Sequence, residues 1–316
     1  MKYTVNDMEL LRCQEHHPPK RAFLNFCYYN EIALMAGEPN IGKTALVQDI
    51  INGVNSGLSF WGEPLTDVRG KCIFVDLEQS DDLCIDRMQN APEGLFKGIL
   101  RIGVKYDGSD QDISVESLIP VLKGLMQKDK GPWFIVVDNM SNLIGTSSTE
   151  RIAISLVKNL RKLIASYEAS VLLVAHTTKS TASHKQIRMD HIRGSKILSG
   201  LVDSIFCICD SKLGEGICYI KHLKSKRSAK YHDVAEVELV ESPFLHFRFL
   251  EWNEESCHID MKRKRRKKYS EEEIKEVINL FKNGLSCREI EAEIGIPKST
   301  VNKIINEYKA YETSSN

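Results

Sequence analysis

Residues 31–47 read EIALMAGEPNIGKTALV. An apolar run of strand length leads into a tight turn, and the turn opens a segment with apolar residues three and four apart, the period of a helix. Within it Gly37, Gly42, Lys43 and Thr44 complete the spacing G-x-x-x-x-G-K-[ST], and a strand before and a helix after form the context that this spacing requires. Glycines let backbone N–H groups turn toward phosphate oxygens, and the start of the helix adds the positive end of its dipole. The expected cradle comprises Gly37, Glu38, Pro39, Asn40, Ile41, Gly42, Lys43, Thr44 and Ala45. In it Lys43 reaches the β and γ phosphates of ATP, and Thr44 ligates Mg2+.

Outward from this loop, short apolar, β-branched runs alternate with helix-like stretches. Strands are predicted over 31–37, 71–78 (KCIFVDLE), 133–140 (WFIVVDNM), 170–177 (SVLLVAHT) and 203–210 (DSIFCICD). Helices are predicted over 44–54, 114–126 and 150–167, where apolar residues recur at helical spacing. The alternation gives an α/β fold with a mostly parallel central sheet. Between about 216 and 252 the runs ICYIKHL, AEVELV and FLHFRFLEW follow closely on one another, which predicts hairpins that extend one edge of the sheet. No internal repeat is present.

Hydrolysis requires a carboxylate that organises magnesium and a group that orients the attacking water. Asp138 ends the apolar strand FIVVD and is expected to hold Mg2+ together with Thr44. The next residue, Asn139, is not acidic, so the carboxylate that activates water comes from another strand. Glu78 ends IFVDLE and is the candidate base, against the blander reading of a solvated surface glutamate. His176 ends SVLLVAH, where it is placed to sense the γ-phosphate, against the reading of a structural histidine.

The 316 residues are 42% hydrophobic and 27% charged, as in ordinary globular chains, and no stretch approaches the ~20 apolar residues of a membrane span. The N-terminal stretch has no apolar segment of signal-peptide length, so the expected location is cytoplasmic. The nine cysteines show no paired framework and are expected to be reduced. Cys13 with His16 and His17, and Cys257 with His258, lack the four-ligand spacing of a zinc site. Net charge is zero, yet residues 261–316 hold 13 Lys and Arg against nine Asp and Glu, and seven of those cations form the run Lys262 to Lys268. Such a block is a solvated linker, an interaction segment for phosphates, or both. After it the pattern is purely helical. Ser270 with Glu273, and Ser286 with Glu289, have the capping-box spacing. Gly284 and Gly295 stop the first two helices, and Pro297 leads into KSTVNKIINEYK. Three short helices in this layout predict a helix-turn-helix, whose Lys298, Ser299, Thr300, Asn302 and Lys303 would face a major groove of duplex DNA. A small bundle for protein contacts is the alternative.

Together these residues resemble the RecA-type ATPase core, and within it the RepA-type hexameric replicative helicases of plasmids, with DnaB-like helicases as more distant relatives. The resemblance covers roughly residues 20–250. It rests on GEPNIGKT, on VDLEQS followed by Arg87, on VVDN, on HTTK at 176–179 and on IRGSKILSGLVDS at 192–204. It implies a homo-oligomeric ring, a hexamer, with ATP at each subunit interface, Glu78 as base and His176 coupling phosphate state to DNA. Single-stranded DNA would pass through the channel, touched by Lys179, Lys185 and Arg188 of the loop after the histidine and by Arg193. The segment 145–150 is a second candidate for that contact. The family also implies an arginine finger, usually a Lys and an Arg one residue apart near a strand end. Here the stretch reads KHLKSKRSAK: Lys224 and Lys226 keep the spacing, while Arg227 keeps the guanidinium. Arg227 is preferred over Lys226 because a planar fork matches phosphate better than a point charge. With the charge run and the helical pattern after it, the expected organisation is a RecA-like ATPase domain over 1–255, a basic linker over 256–269 and a helix-turn-helix domain over 270–316. The implied function is a DNA-dependent ATPase, a replicative helicase or helicase-like motor of a plasmid or other mobile element. The rival is an ATP-switched DNA-binding regulator or recombination mediator that does not unwind.

Overall fold

The structure, a computed structural model, describes residues 8–13, 18–57, 61, 64–103, 114–144, 149–177, 184, 186–192, 195–260 and 270–314. The chain divides into two compact units, Met1–Asp260 and Met261–Asn316.

The first unit opens with α1 (Met8–Cys13) and the short pair β1 (Arg21–Phe23) and β2 (Cys27–Tyr28). Next come β3 (Ile32–Gly37), α2 (Lys43–Ser56), β4 (Lys71–Asp76), α3 (Asp81–Met88), β5 (Leu100–Gly103) and α4 (Val115–Met126). They lead to β6 (Trp133–Asp138), α5 (Ser141–Ile144), α6 (Thr149–Tyr167), β7 (Ala169–His176), α7 (Ser195–Leu201) and β8 (Ser204–Asp210). The unit closes with β9 (Ile217–Ser225), β10 (Val234–Val240), β11 (His246–Asn253) and α8 (Glu255–His258). Nine strands form one sheet in the order β11-β10-β9-β8-β3-β7-β6-β4-β5. The six from β8 to β5 run parallel, and β9, β10 and β11 add an antiparallel extension. The pattern read from the sequence is therefore present as an α/β sheet, mostly parallel, with hairpins on one edge. The sequence reading did not include β1, β2, α3 or β5, which are short and carry too few periodic apolar positions to stand out.

Both faces of the parallel block are covered, which explains its unbroken apolar runs. Along β3, Ile32, Leu34 and Ala36 join a core with Leu118 and Leu122 of α4 and Leu156 and Leu160 of α6. Ala33 and Met35 join the opposite core with Leu46, Ile50 and Val54 of α2. The strand thus keeps its period of two while every position is buried. An aromatic cluster strengthens the second face: Phe206 of β8 lies 4.9 Å from the Phe26 ring and 5.8 Å from the Phe23 ring.

Residues 256–260, placed by composition in the linker, pack with the first unit. His258 is fully buried, its Nδ1 meets the Ser211 hydroxyl at 2.9 Å, and its ring stacks on Tyr219 at 4.9 Å. In the second unit, α9 (Glu271–Lys282), α10 (Cys287–Ile294) and α11 (Lys298–Ser314) surround Val277, Ile290, Ile296, Val301, Ile304 and Ile305. Capping boxes start α9 at Ser270 and α10 at Ser286, and Gly295 closes α10 in the left-handed region. Among the described residues no helix is long and apolar enough to cross a membrane.

Phe206 joins β8 to the β1–β2 segment, and a void beneath it would be only partly refilled. Phe206→Ala is expected to lower unfolding free energy by about 3–5 kcal/mol, read as a shift of the urea midpoint at unchanged slope.

Candidate nucleotide-hydrolysis site

The predicted loop leaves the end of β3 and enters α2. Close packing explains its glycines. A Cβ on Gly37 would lie 2.8 Å from Ile208 Cγ2 and 3.0 Å from the Ile208 carbonyl. Gly42 has φ +86°, and a Cβ there would meet the Phe247 ring at 2.9 Å. Asn40 also takes a positive φ, 62°, which asparagine tolerates better than most residues. Glu38 and Ile41 are half-buried, Pro39 and Asn40 are exposed, and Ala45 is buried. Lys43 is buried, and its Nζ donates to the Glu38 carbonyl at 2.6 Å. Burial pulls the Lys43 pKa down, opposed by the charges of Asp138, Glu78 and Glu38.

Asp138 lies at the end of β6, and its Oδ2 accepts the Thr44 hydroxyl at 2.8 Å. Its Oδ1 is buried and has no hydrogen-bond partner. Burial pushes Asp138 up to about 7, with the Thr44 bond opposing the shift and the charges of Glu78 and Asp76 adding to it. A buried carboxylate oxygen with unused lone pairs, beside a threonine hydroxyl, suits a hard cation that accepts one or two protein oxygens and keeps several waters, as Mg2+ does. The residues present therefore fit the expected ion.

Glu78 sits two residues beyond β4. Its Oε1 accepts Asn139 Nδ2 at 2.8 Å and lies 3.2 Å from His176 Nε2. A carboxylate only accepts, so this contact places the imidazole proton on Nε2. Both side chains hold the same oxygen, which leaves Oε2 as the atom available to a water. Asn139, considered from sequence only as a residue that is not acidic, thus joins the strand bearing Asp138 to Glu78, the candidate base. The sequence reading also missed buried Asp76 and Gln79 and half-buried Arg101, which form a polar cluster beneath Glu78. No motif marks Arg101, which lies in a four-residue edge strand.

Arg227 is not at this site. It follows β9, and its Nε pairs with Glu31, the residue before β3. Burial raises the Glu31 pKa, and Arg227 opposes that rise. The six residues of β3 separate Glu31 from the loop, a span of about 20 Å. Lys226 Nζ lies 3.4 Å from Asp203 Oδ1, and Lys224 Nζ donates to the Val202 carbonyl at 2.8 Å. Of the expected DNA contacts, Lys179, Lys185 and Arg193 lie outside the described residues. Arg188 is exposed and precedes a 3-10 turn, Met189–His191. On α11, Lys298, Ser299, Asn302 and Lys303 are exposed and Thr300 is half-buried.

Residues 7–182, more than half of the chain, match the family described as AAA domain. No curated protein matches the chain. Among solved structures, one described as "The Structure Of A DnaB-Like Replicative Helicase And Its Interactions With Primase" has a similar fold. The TM-score is 0.54 at 13% identity, over 77% of this chain and 66% of that one. This chain therefore spans just under two thirds of that structure's length.

The raised pKa of Asp138 has a measurable sign. Its folded value, about 7, exceeds the ordinary 3.8, so the stabilising proton is fully held below about pH 4 and stability is lost as pH rises through 7. In metal-free, nucleotide-free buffer the stability of Asp138→Asn relative to wild type is expected to grow between pH 4 and 7 and then level off. The total gain is at most about 4 kcal/mol. A difference that does not vary with pH in thermal unfolding would assign Asp138 an ordinary pKa.

Proposed function

The chain belongs to the AAA-domain family, and from that membership we propose that it hydrolyses Mg-ATP and uses the cleavage on DNA, as a RepA-like ring helicase or helicase-type motor. One junction carries the reading. Asp138 and Asn139 are consecutive, and the first accepts from Thr44 of the phosphate loop while the second donates to Glu78.

Lys43 and the loop amides neutralise phosphate charge, and Thr44 with Asp138 would hold the metal. A magnesium ion held there would offset the charge that develops on the phosphate oxygens. Glu78 Oε2 accepts a proton from the attacking water, while Asn139 and His176 fix the orientation of the carboxylate through Oε1. His176 also starts the chain toward the loop bearing Lys179, Lys185 and Arg188, so a change at the phosphate would reach the DNA-contacting segment through it.

Arg227, about 20 Å from its own loop, would serve the site of an adjacent subunit. A contact of that head-to-tail kind closes into a ring, here read as a hexamer around single-stranded DNA. In the second unit, the exposed stripe of Lys298, Ser299, Asn302 and Lys303, opposite buried Val301, Ile304 and Ile305, supports its reading as a helix-turn-helix that reads duplex DNA. Adjacent Lys262 to Lys268 would contact phosphates. A second reading is favoured by the Glu31–Arg227 pair: with the guanidinium retained in its own subunit, the chain would be an ATP-switched DNA-binding regulator that does not unwind.

Purified protein is expected to turn over ATP faster with single-stranded DNA, and Lys43→Ala should reduce turnover by about 10²-fold or more. Release of an annealed strand separates the motor from the regulator. ATP turnover that no DNA stimulates, together with salt-independent failure to bind any oligonucleotide, would overturn both.

A further inference from the structure

Beneath Glu78 lies a partly buried ion pair with no part in the chemistry described so far. Asp76, the last residue of β4, is fully buried. Its Oδ1 accepts the backbone N–H groups of Glu78 at 3.3 Å and Gln79 at 3.1 Å. Its Oδ2 accepts Gln79 Nε2 at 3.0 Å and Arg101 Nε at 2.9 Å. Arg101 reaches in from the edge strand β5, donates through Nη2 to the Gln79 carbonyl at 2.8 Å and pairs through Nη1 with Asp81. The peptide N–H groups on both sides of Glu78 are thus tied to the Asp76 carboxylate, and the guanidinium that neutralises it also holds the following carbonyl, that of Gln79.

The space for that guanidinium is set by Gly103, two residues along the same face of β5. A Cβ at Gly103 would lie 2.5 Å from Arg101 Nη1 and 3.0 Å from Cζ. The glycine is what lets the arginine fold back over its own strand onto Asp76.

We infer that Arg101 is a positioning residue for ATP hydrolysis: held over Gly103 and paired with Asp76, it fixes the turn that presents Glu78 to the attacking water. The inference rests on the reading of Glu78 as the base. Stability alone accounts poorly for the arrangement, because an ion pair that draws a carboxylate fully out of water is often no more stabilising than apolar side chains of the same volume. Placement accounts for it better. A misplacement of about 1 Å in a reacting group can cost about 10²-fold in rate.

The test compares full-length Gly103→Ala, Arg101→Met and Arg101→Lys with wild type, in wild-type and Glu78→Gln backgrounds. ATP turnover is measured beside the affinity for a fluorescent ATP analogue. Gly103→Ala keeps both charges and displaces only the guanidinium, so it stands even if Arg101→Met fails to fold. Expected for Gly103→Ala and Arg101→Met is a fall in kcat of about 10- to 100-fold, with analogue affinity within roughly twofold and partial recovery in Arg101→Lys. In the Glu78→Gln background the same substitutions should cost nothing further. Folded variants with wild-type kcat, losses that track affinity, or losses that add to that of Glu78→Gln would each overturn the inference. Full turnover by Glu78→Gln alone would instead remove the base, and the inference with it.

Discussion

Parallel pairing in register is the constraint on which the site depends. Gly37 of β3 pairs with His176 of β7, and Asp76 of β4 pairs with Asp138 of β6. These four strands lie side by side in the sheet, so their C-terminal ends meet along one edge. There the phosphate loop, the metal-type carboxylate, the histidine and the turn bearing Glu78 become neighbours. A slip of one residue in any pair would turn the inward side chains to the other face, and with both faces packed, the two cores resist it.

That edge collects groups that are expensive to bury. Lys43, Asp76, Asp138 and Asn139 are all less than a tenth exposed, and an unpaired charge in such surroundings costs several kcal/mol. The molecule offsets most of this locally. Asp76 has four donors, Lys43 has the Glu38 carbonyl, and Asp138 has Thr44 on one oxygen. The exception is Asp138 Oδ1, the oxygen that the proposed chemistry would give to magnesium.

The antiparallel extension acts at both of its ends. Near the loop, Phe247 of β11 lies against Gly42, and its N–H donates to Asp49 of α2 at 2.6 Å. Burial holds the Asp49 pKa well above the usual carboxylate range, although that N–H opposes the shift. The extension thus braces the helix whose start would receive the phosphates. At the far end, β9 runs antiparallel to β8 and delivers Lys226 and Arg227 beside Asp203 and Glu31. One run of hairpins supports the phosphate loop and carries a guanidinium away from it.

Much of this was legible in the sequence, for local reasons. The spacing from Gly37 to Thr44 specifies a phosphate loop because neighbouring residues alone set the backbone turn. The apolar runs specify buried strands because burial on both faces leaves no polar alternation. The capping pairs Ser270–Glu273 and Ser286–Glu289 mark helix starts because their partners are three residues apart. What the sequence could not determine were contacts between residues distant along the chain. Asn139 and Glu78 are 61 residues apart and Arg101 and Asp76 are 25 apart, and neither pair has a spacing that one helix or strand would repeat. Only strand order and register bring them together. The same order separates Arg227 from the phosphate loop, a distance that the tertiary structure alone decided.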